Sequence, residues 1–178
     1  LIACQEVAPD WYPFFLTALR TGLRLGELIA LRARDVRLDG AGMIDVRRSV
    51  HRGLEGPPKS GRARQVPLTP SLKAVLSLRL EGLSVDGLVF PGPQGGFVTR
   101  DQIKHPFWRA TAAAGLERIR IHDLRHSFAS QLVSAGKPLP AVQQLLGHAD
   151  LRTTMRYAHL VPDGMADVVA VLDEENGP

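Results

Sequence analysis

Apolar residues recur at helical spacing from Trp11 to Leu19, and Thr21-Gly22 follows with a glycine suited to a left-handed cap. A second helix is predicted from about Leu25 to Arg32, with Leu25, Leu28, Ile29 and Leu31 as its apolar positions. Beyond the turn Asp39-Gly40-Ala41-Gly42 the period changes, and Ile44, Val46 and Val50 alternate with polar residues as in a strand. Arg52 to Ser60, rich in Gly and Pro, predicts a loop; Arg64-Gln65-Val66-Pro67-Leu68 predicts a return strand antiparallel to the first. Thr69-Pro70 starts a helix that runs to about Leu80, with Thr as N-cap and Pro at the first helical position. Leu88-Val89-Phe90 predicts a third short strand, ended by Pro91-Gly92-Pro93. Thr99 and Gln102 form a capping box before a helix that Gly115 closes. From His122 onward only helices are predicted, over about 122–135, 139–146, 151–158 and 164–172. The expected fold class is mainly α with a small antiparallel β-sheet on the N-terminal side, an α+β domain.

A chain of 178 residues, 44 % apolar and 22 % charged, is long enough for one globular domain with its own core. It holds no apolar run of membrane-spanning length and no signal-peptide pattern. The single cysteine, Cys4, cannot form an internal disulfide, which fits a reducing, cytoplasmic setting. The chain opens at Leu1 in mid-pattern and reads as part of a longer protein. Charge adds more. Residues 20–64 carry eleven Lys or Arg against five acids, whereas 160–178 carry five acids and no Lys or Arg. A basic body of this kind suits a polyanion, although an inert basic surface accounts for charge alone equally well.

Common catalytic signatures are missing: no G-x-S-x-G elbow, no P-loop, no H-E-x-x-H, no C-x-x-C. Arg, His, Lys and Tyr residues in short, unusual contexts remain. Arg24 stands among glycines at a helix start, with Glu27 one turn on and placed to orient a guanidinium; as a bare segment this reads as a surface ion pair. Lys59, in Pro57-Pro58-Lys59-Ser60-Gly61-Arg62, sits at the tip of the expected hairpin, where a lysine can protonate a leaving oxygen. His122 and Arg125 share a helical face on which Leu124, Phe128 and Leu132 make the core stripe, and a phosphate would offset the cost of that pairing. His126, next in line, is assigned a structural role. His148 follows Gly147 at a helix joint, and Tyr157 is one of two tyrosines; the other, Tyr12, is assigned to the core.

Five ordered motifs turn these fragments into a pattern: T-G-L-R-L-G-E-L at 21–28, K-S-G-R with V-P-L at 66–68, H-D-L-R-H-S-F-A at 122–129, L-L-G-H at 145–148, and T-T-M-R-Y-A-H at 153–159. From Trp11 to about Leu160 the chain resembles the tyrosine recombinases, or phage-type integrases. The resemblance implies a recombinase catalytic domain over 1–178, with 160–178 a C-terminal helix and acidic tail and the family's N-terminal DNA-clamping domain outside this chain. It implies catalytic roles for Arg24, Lys59, His122, Arg125, His148 and Tyr157, with Glu27 and His126 supporting them, and it makes Arg47, Arg48, Arg62, Arg64, Arg152 and Arg156 the expected DNA contacts.

The implied reaction is metal-free and cofactor-free phosphoryl transfer on duplex DNA. Tyr157 attacks the phosphate, His122 serves as base, Lys59 as acid, and Arg24, Arg125 and His148 hold the charge of the transition state. The implied assembly is a tetramer on DNA of a bacterial or phage-encoded protein, with 164–172 either docking on a neighbouring protomer or, equally well, packing on its own domain. Alternatives are a type IB topoisomerase, a silent DNA-binding module, and a metalloprotein on His122 and His126, which nearby carboxylates and Cys do not complete.

Overall fold

The computed structural model describes residues 1–117 and 119–162. A short helix absent from the sequence reading, α1 (Ile2–Val7), leads into α2 (Tyr12–Thr21), which buries Phe14, Phe15, Leu16 and Ala18. Gly22 ends α2 in the left-handed conformation, φ 62°, its N–H donating to the Ala18 carbonyl. α3 (Leu25–Ile29) is shorter than the stripe to Arg32 predicts. Its backbone leaves the helix because residues 85–89 offer other partners. Val89 N–H donates to the Leu31 carbonyl, and the N–H groups of Ala33 and Arg34 donate to the carbonyls of Gly87 and Val85. The same exchange corrects the strand expected at 88–90. It reduces to one antiparallel bridge, Arg32 with Leu88, because the chain turns into a 3-10 helix at Ala33–Asp35.

Five strands follow: β1 (Val36–Arg37), β2 (Met43–Val46), β3 (Ser49–His51), β4 (Leu54–Gly56) and β5 (Arg64–Pro67). One antiparallel sheet has the order β1-β2-β5, with Ile44 opposite Val66 and Val46 opposite Arg64. The strand expected across 44–50 divides at Arg47-Arg48, and its second part, β3, pairs with β4 as a separate hairpin. Residues 52–60 are therefore not all loop. Arg52 and Gly53 take positive φ, 50° and 80°, as a two-residue hairpin turn requires. Lys59 lies not on that tip but in the connection from β4 to β5.

The helical half keeps to its caps. α4 (Pro70–Leu80) begins at Thr69, whose hydroxyl accepts from Leu72 N–H at 3.3 Å; in α5 (Arg100–Ala113) Thr99 and Gln102 cap each other. Among the described residues α6 (Ile121–Ser134), α7 (Leu139–Leu146) and α8 (Arg152–Met155) follow. The helix expected over 151–158 stops at Met155. The Tyr157 N–H instead reaches the Thr154 carbonyl, and a 3-10 turn covers Ala158–Leu160. The helix expected at 164–172 lies outside the described residues.

Two apolar clusters hold the fold. The larger joins α2, the sheet, α4 and α5; the smaller holds Phe128, Ala129, Val133, Val142, Leu146 and Tyr157. α6 runs between them, packed on α2 and α7. Its buried face is rotated from the expected stripe: Arg125, Phe128, Ala129 and Val133 point inward, while Leu124 and Leu132 are half-buried. The close α2–α6 contact depends on Gly22, where a Cβ would lie 2.4 Å from Phe128 Cδ1.

Candidate active site

The C-terminal end of α7 organises the site. Three consecutive carbonyls there each accept from a different arginine brought in from elsewhere in the chain. Arg64 Nε donates to Leu145 at 2.8 Å, Arg125 Nη2 to Leu146 at 2.6 Å, and Arg24 Nη2 to Gly147 at 3.0 Å. A helix C-terminus has unpaired carbonyls and the negative end of the helix dipole, so guanidinium groups satisfy it doubly. Gly147 takes the left-handed cap, φ 66°, and a Cβ there would meet Arg64 Cδ at 2.8 Å.

One carboxylate ties these arginines together. Glu27, 2 % exposed, accepts a two-pronged bond from Arg64 at 2.9 and 2.7 Å, one from Arg24 Nη1 at 3.0 Å, and one from the Arg24 backbone N–H at 2.8 Å. Burial alone would raise the Glu27 carboxyl; hydrogen bonds and charge from Arg64 and Arg24 overcome it and hold the group below the ordinary carboxylate range. The Arg24–Glu27 pair is thus an interior clamp, not the surface pair that the segment alone suggests. Arg125, 4 % exposed, also donates to the Gly22 carbonyl at 2.5 Å. Burial, and then Arg24, push its guanidinium down to about 9, still charged at neutral pH.

Beside the arginines lie the histidines and Tyr157. His148 shares a 2.9 Å hydrogen bond between Nδ1 and the buried Thr154 hydroxyl. Burial, and then the charges of Arg125 and Arg24, push it down to about 4, so it is neutral across the physiological range. Tyr157, 6 % exposed, sits in the smaller core with its hydroxyl 2.5 Å from His126 Nδ1. Burial pushes its phenol up, against Arg156 and Arg125. His122 stacks edge-on to His126, with ring centroids 4.9 Å apart, and is lowered by burial and by the charges of His126 and Arg125. The hydroxyl of Tyr157 thus meets His126, the histidine assigned a structural role, rather than His122.

A cleft of about 320 Å³ is lined by Arg24, Lys59, His122, Arg125, His148 and Tyr157 together, with His126 and Arg156 on its wall. The chain brings these side chains in from five separate segments. The expected DNA contacts divide. Arg62 and Arg152 are exposed, as is Arg47, which pairs with Asp45 at 3.2 Å. Arg48 is turned inward, its Nη1 on both Asp35 oxygens at 2.8 and 2.7 Å. Arg64 has every guanidinium nitrogen bonded inside the protein. In this DNA-free structure these two, expected as DNA contacts, are instead held by partners inside the protein. The signal for Arg64 was available: with Val66 buried in β5, period-2 alternation puts Arg64 on the same inward face. Nothing comparable marked Thr154 or the α7 carbonyls.

Among the described residues, no three His, Cys, Asp or Glu side chains are grouped to hold a metal ion, and no helix is long and apolar enough to cross a membrane.

The sequence profile of the phage integrase family matches residues 7–163. Tyrosine recombinase XerC of Xanthomonas campestris pv. campestris is 37 % identical over 143 residues, 79 % of this chain and 41 % of that protein. Tyrosine recombinase XerD of Brucella suis biovar 1 is 34 % identical over 163 residues, 86 % of this chain and 49 % of that protein. The chain therefore spans less than half the length of these curated relatives. Two solved structures share its fold. The Tn1549 transposon integrase in complex with a circular intermediate DNA aligns with a TM-score of 0.75 at 20 % identity, over 96 % of this chain and 60 % of that one. The catalytic domain of bacteriophage HP1 integrase aligns with a TM-score of 0.68 at 23 % identity, over 98 % of this chain and 90 % of that one.

Proposed function

This chain belongs to the phage integrase family, and from that premise we propose that it is the catalytic part of a site-specific recombinase that cuts and rejoins duplex DNA through a phosphotyrosyl bond. The observation that carries the reading is the convergence of Arg24, Lys59, His122, Arg125, His148 and Tyr157 on one cleft. Tyr157 Oη, its proton passing to a histidine of the cleft, attacks the scissile phosphorus and the P–O5′ bond breaks. A 3′-phosphotyrosyl link and a 5′ oxygen protonated by Lys59 result. The link conserves the energy of the diester, so resealing needs no ATP. Arg24 and Arg125 hold the non-bridging oxygens, and His148 adds a donor. Their carbonyl anchors fix the two guanidinium groups before DNA arrives, the preorganisation that makes charge stabilisation effective. Each such donor typically lowers the barrier by about 3 kcal/mol, so removing either arginine is expected to abolish most cleavage.

Duplex DNA as the partner is supported by the exposed Arg62 and Arg152 and by a structural neighbour in complex with DNA. Assembly as a tetramer on DNA through 164–172, in the cytoplasm, belongs to the same reading. The test is covalent capture in EDTA. A duplex is selected from a nicked random-sequence pool by adduct formation with the wild-type protein and then offered to Tyr157→Phe. An adduct with wild type and none with the variant is expected. An adduct that persists in the variant, or a strict need for a divalent ion, defeats the proposal. Strand exchange between two duplexes, against relaxation of one, separates recombinase from topoisomerase.

A further inference from the structure

The hydroxyl of Tyr157 has its partner already in the DNA-free protein. Tyr157 is buried in the smaller core with Phe128 and Leu146, and its Oη lies 2.5 Å from His126 Nδ1. The His126 ring is tilted 50° to that of Tyr157 at a centroid distance of 6.0 Å, and the ring of His122 stands perpendicular to it with centroids 4.9 Å apart. His122 has no such bond to Tyr157 among the described residues. Resting on the reading of Tyr157 as nucleophile, we infer that His126 is the catalytic group that accepts the Tyr157 proton.

The surroundings suit that exchange. On its own helix His126 is flanked by His122, Asp123 and Arg125, with Arg120 at the helix start, and across the cleft wall by Arg156 and Tyr157. Burial lowers its imidazole, as do Arg156, Arg120 and Arg125, while Asp123 opposes them. The ring is therefore neutral at neutral pH, and Nδ1 can offer its lone pair. Tyr157 is pushed the other way by burial and does not ionise unaided. During attack an Oη lone pair forms the bond to phosphorus and the Oη–H proton passes to His126 Nδ1. The P–O5′ bond breaks with its electron pair on the 5′ oxygen, which takes a proton from Lys59. Resealing runs the same transfers backward.

Positioning and proton uptake make different demands on the side chain. Asparagine at 126 places an acceptor oxygen near Nδ1 but takes up no proton. The nicked duplex selected with the wild-type protein serves as probe, and adduct rates are followed from pH 5.5 to 9. His126→Asn is expected to lose about 100-fold at pH 7, the lower end of what a general base contributes. Its rate should climb with pH where wild type reaches a plateau. His122→Asn should lower the rate but keep the plateau. A His126→Asn rate within about threefold of wild type with the plateau intact, or loss of the plateau in His122→Asn alone, overturns the inference. No adduct with wild type on any selected duplex would instead overturn the proposed function. Nitrogen NMR of the imidazoles tests the contact without DNA: Tyr157→Phe should move the His126 Nδ1 resonance, and an unmoved resonance contradicts the inference.

Discussion

Replacing Arg64 by alanine removes the side chain that joins Glu27 to the end of α7. Arg64 is 8 % exposed at its side chain and Glu27 is fully enclosed, so the carboxylate cannot regain its lost partner from water. Breaking a buried pair from one side typically costs about 3–5 kcal/mol. Glu27 keeps its two bonds from Arg24, and the lower figure, about 3 kcal/mol, is therefore expected. For a chain of this size that corresponds to a fall in Tm of roughly 6–12 °C. Arg64→Lys keeps a charge but not the fork, and cannot serve Glu27 and the Leu145 carbonyl together; its loss should fall between wild type and alanine. Calorimetric melts of wild type, Arg64→Ala, Glu27→Gln and the double variant close a thermodynamic cycle. A coupling of about 2 kcal/mol or more is expected for groups in direct contact. Acid melts add a second reading. The Glu27 carboxyl is held low, so its stabilisation is complete above its unfolded value, about pH 4.3, and is lost as pH falls through the folded one. Without Arg64 that loss should begin at higher pH. A coupling below about 0.5 kcal/mol, or a Tm shift under about 2 °C in Arg64→Ala, would refute the interior-clamp argument.

Two further outcomes follow from the same geometry. His148 is lowered to about 4, below its unfolded value of about 6.5, so the stability linked to it is present above pH 6.5 and declines as pH falls toward 4; a proton NMR titration of its ring should give a midpoint near 4, and a midpoint above 6 contradicts the buried, arginine-surrounded site. Arg48 is held on Asp35 whereas Arg62 is exposed and unpaired among the described residues. Arg62→Ala should therefore reduce the salt slope of DNA binding by about 1 and Arg48→Ala should leave it unchanged, with the opposite pattern of slopes showing that the pairing does not persist on DNA.

Local chemistry made much of this protein legible in one dimension. Thr69-Pro70, the Thr99/Gln102 box and Gly22 mark helix ends because capping needs only side chains within a few residues, and α4, α5 and α2 begin or end where they say. The ordered motifs pointed to the family, and the side chains they name share one cleft. Other features depended on partners distant in the chain. The helix after Arg24 stops early because Val85 to Val89 takes up its backbone groups. The hairpin at 52–53 needs an arginine at positive φ, which composition does not advertise. Above all, eighteen arginines look alike in sequence. Whether one meets solvent or a buried carboxylate is set by residues tens of positions away: Glu27 for Arg64, Asp35 for Arg48, and the α7 carbonyls for Arg24 and Arg125. The sequence by itself determined the helix caps, the mainly α class and the set of side chains that line the cleft. Only the tertiary structure decided which arginines are anchors and which histidine touches Tyr157, because desolvation and charge pairing act through space rather than along the chain.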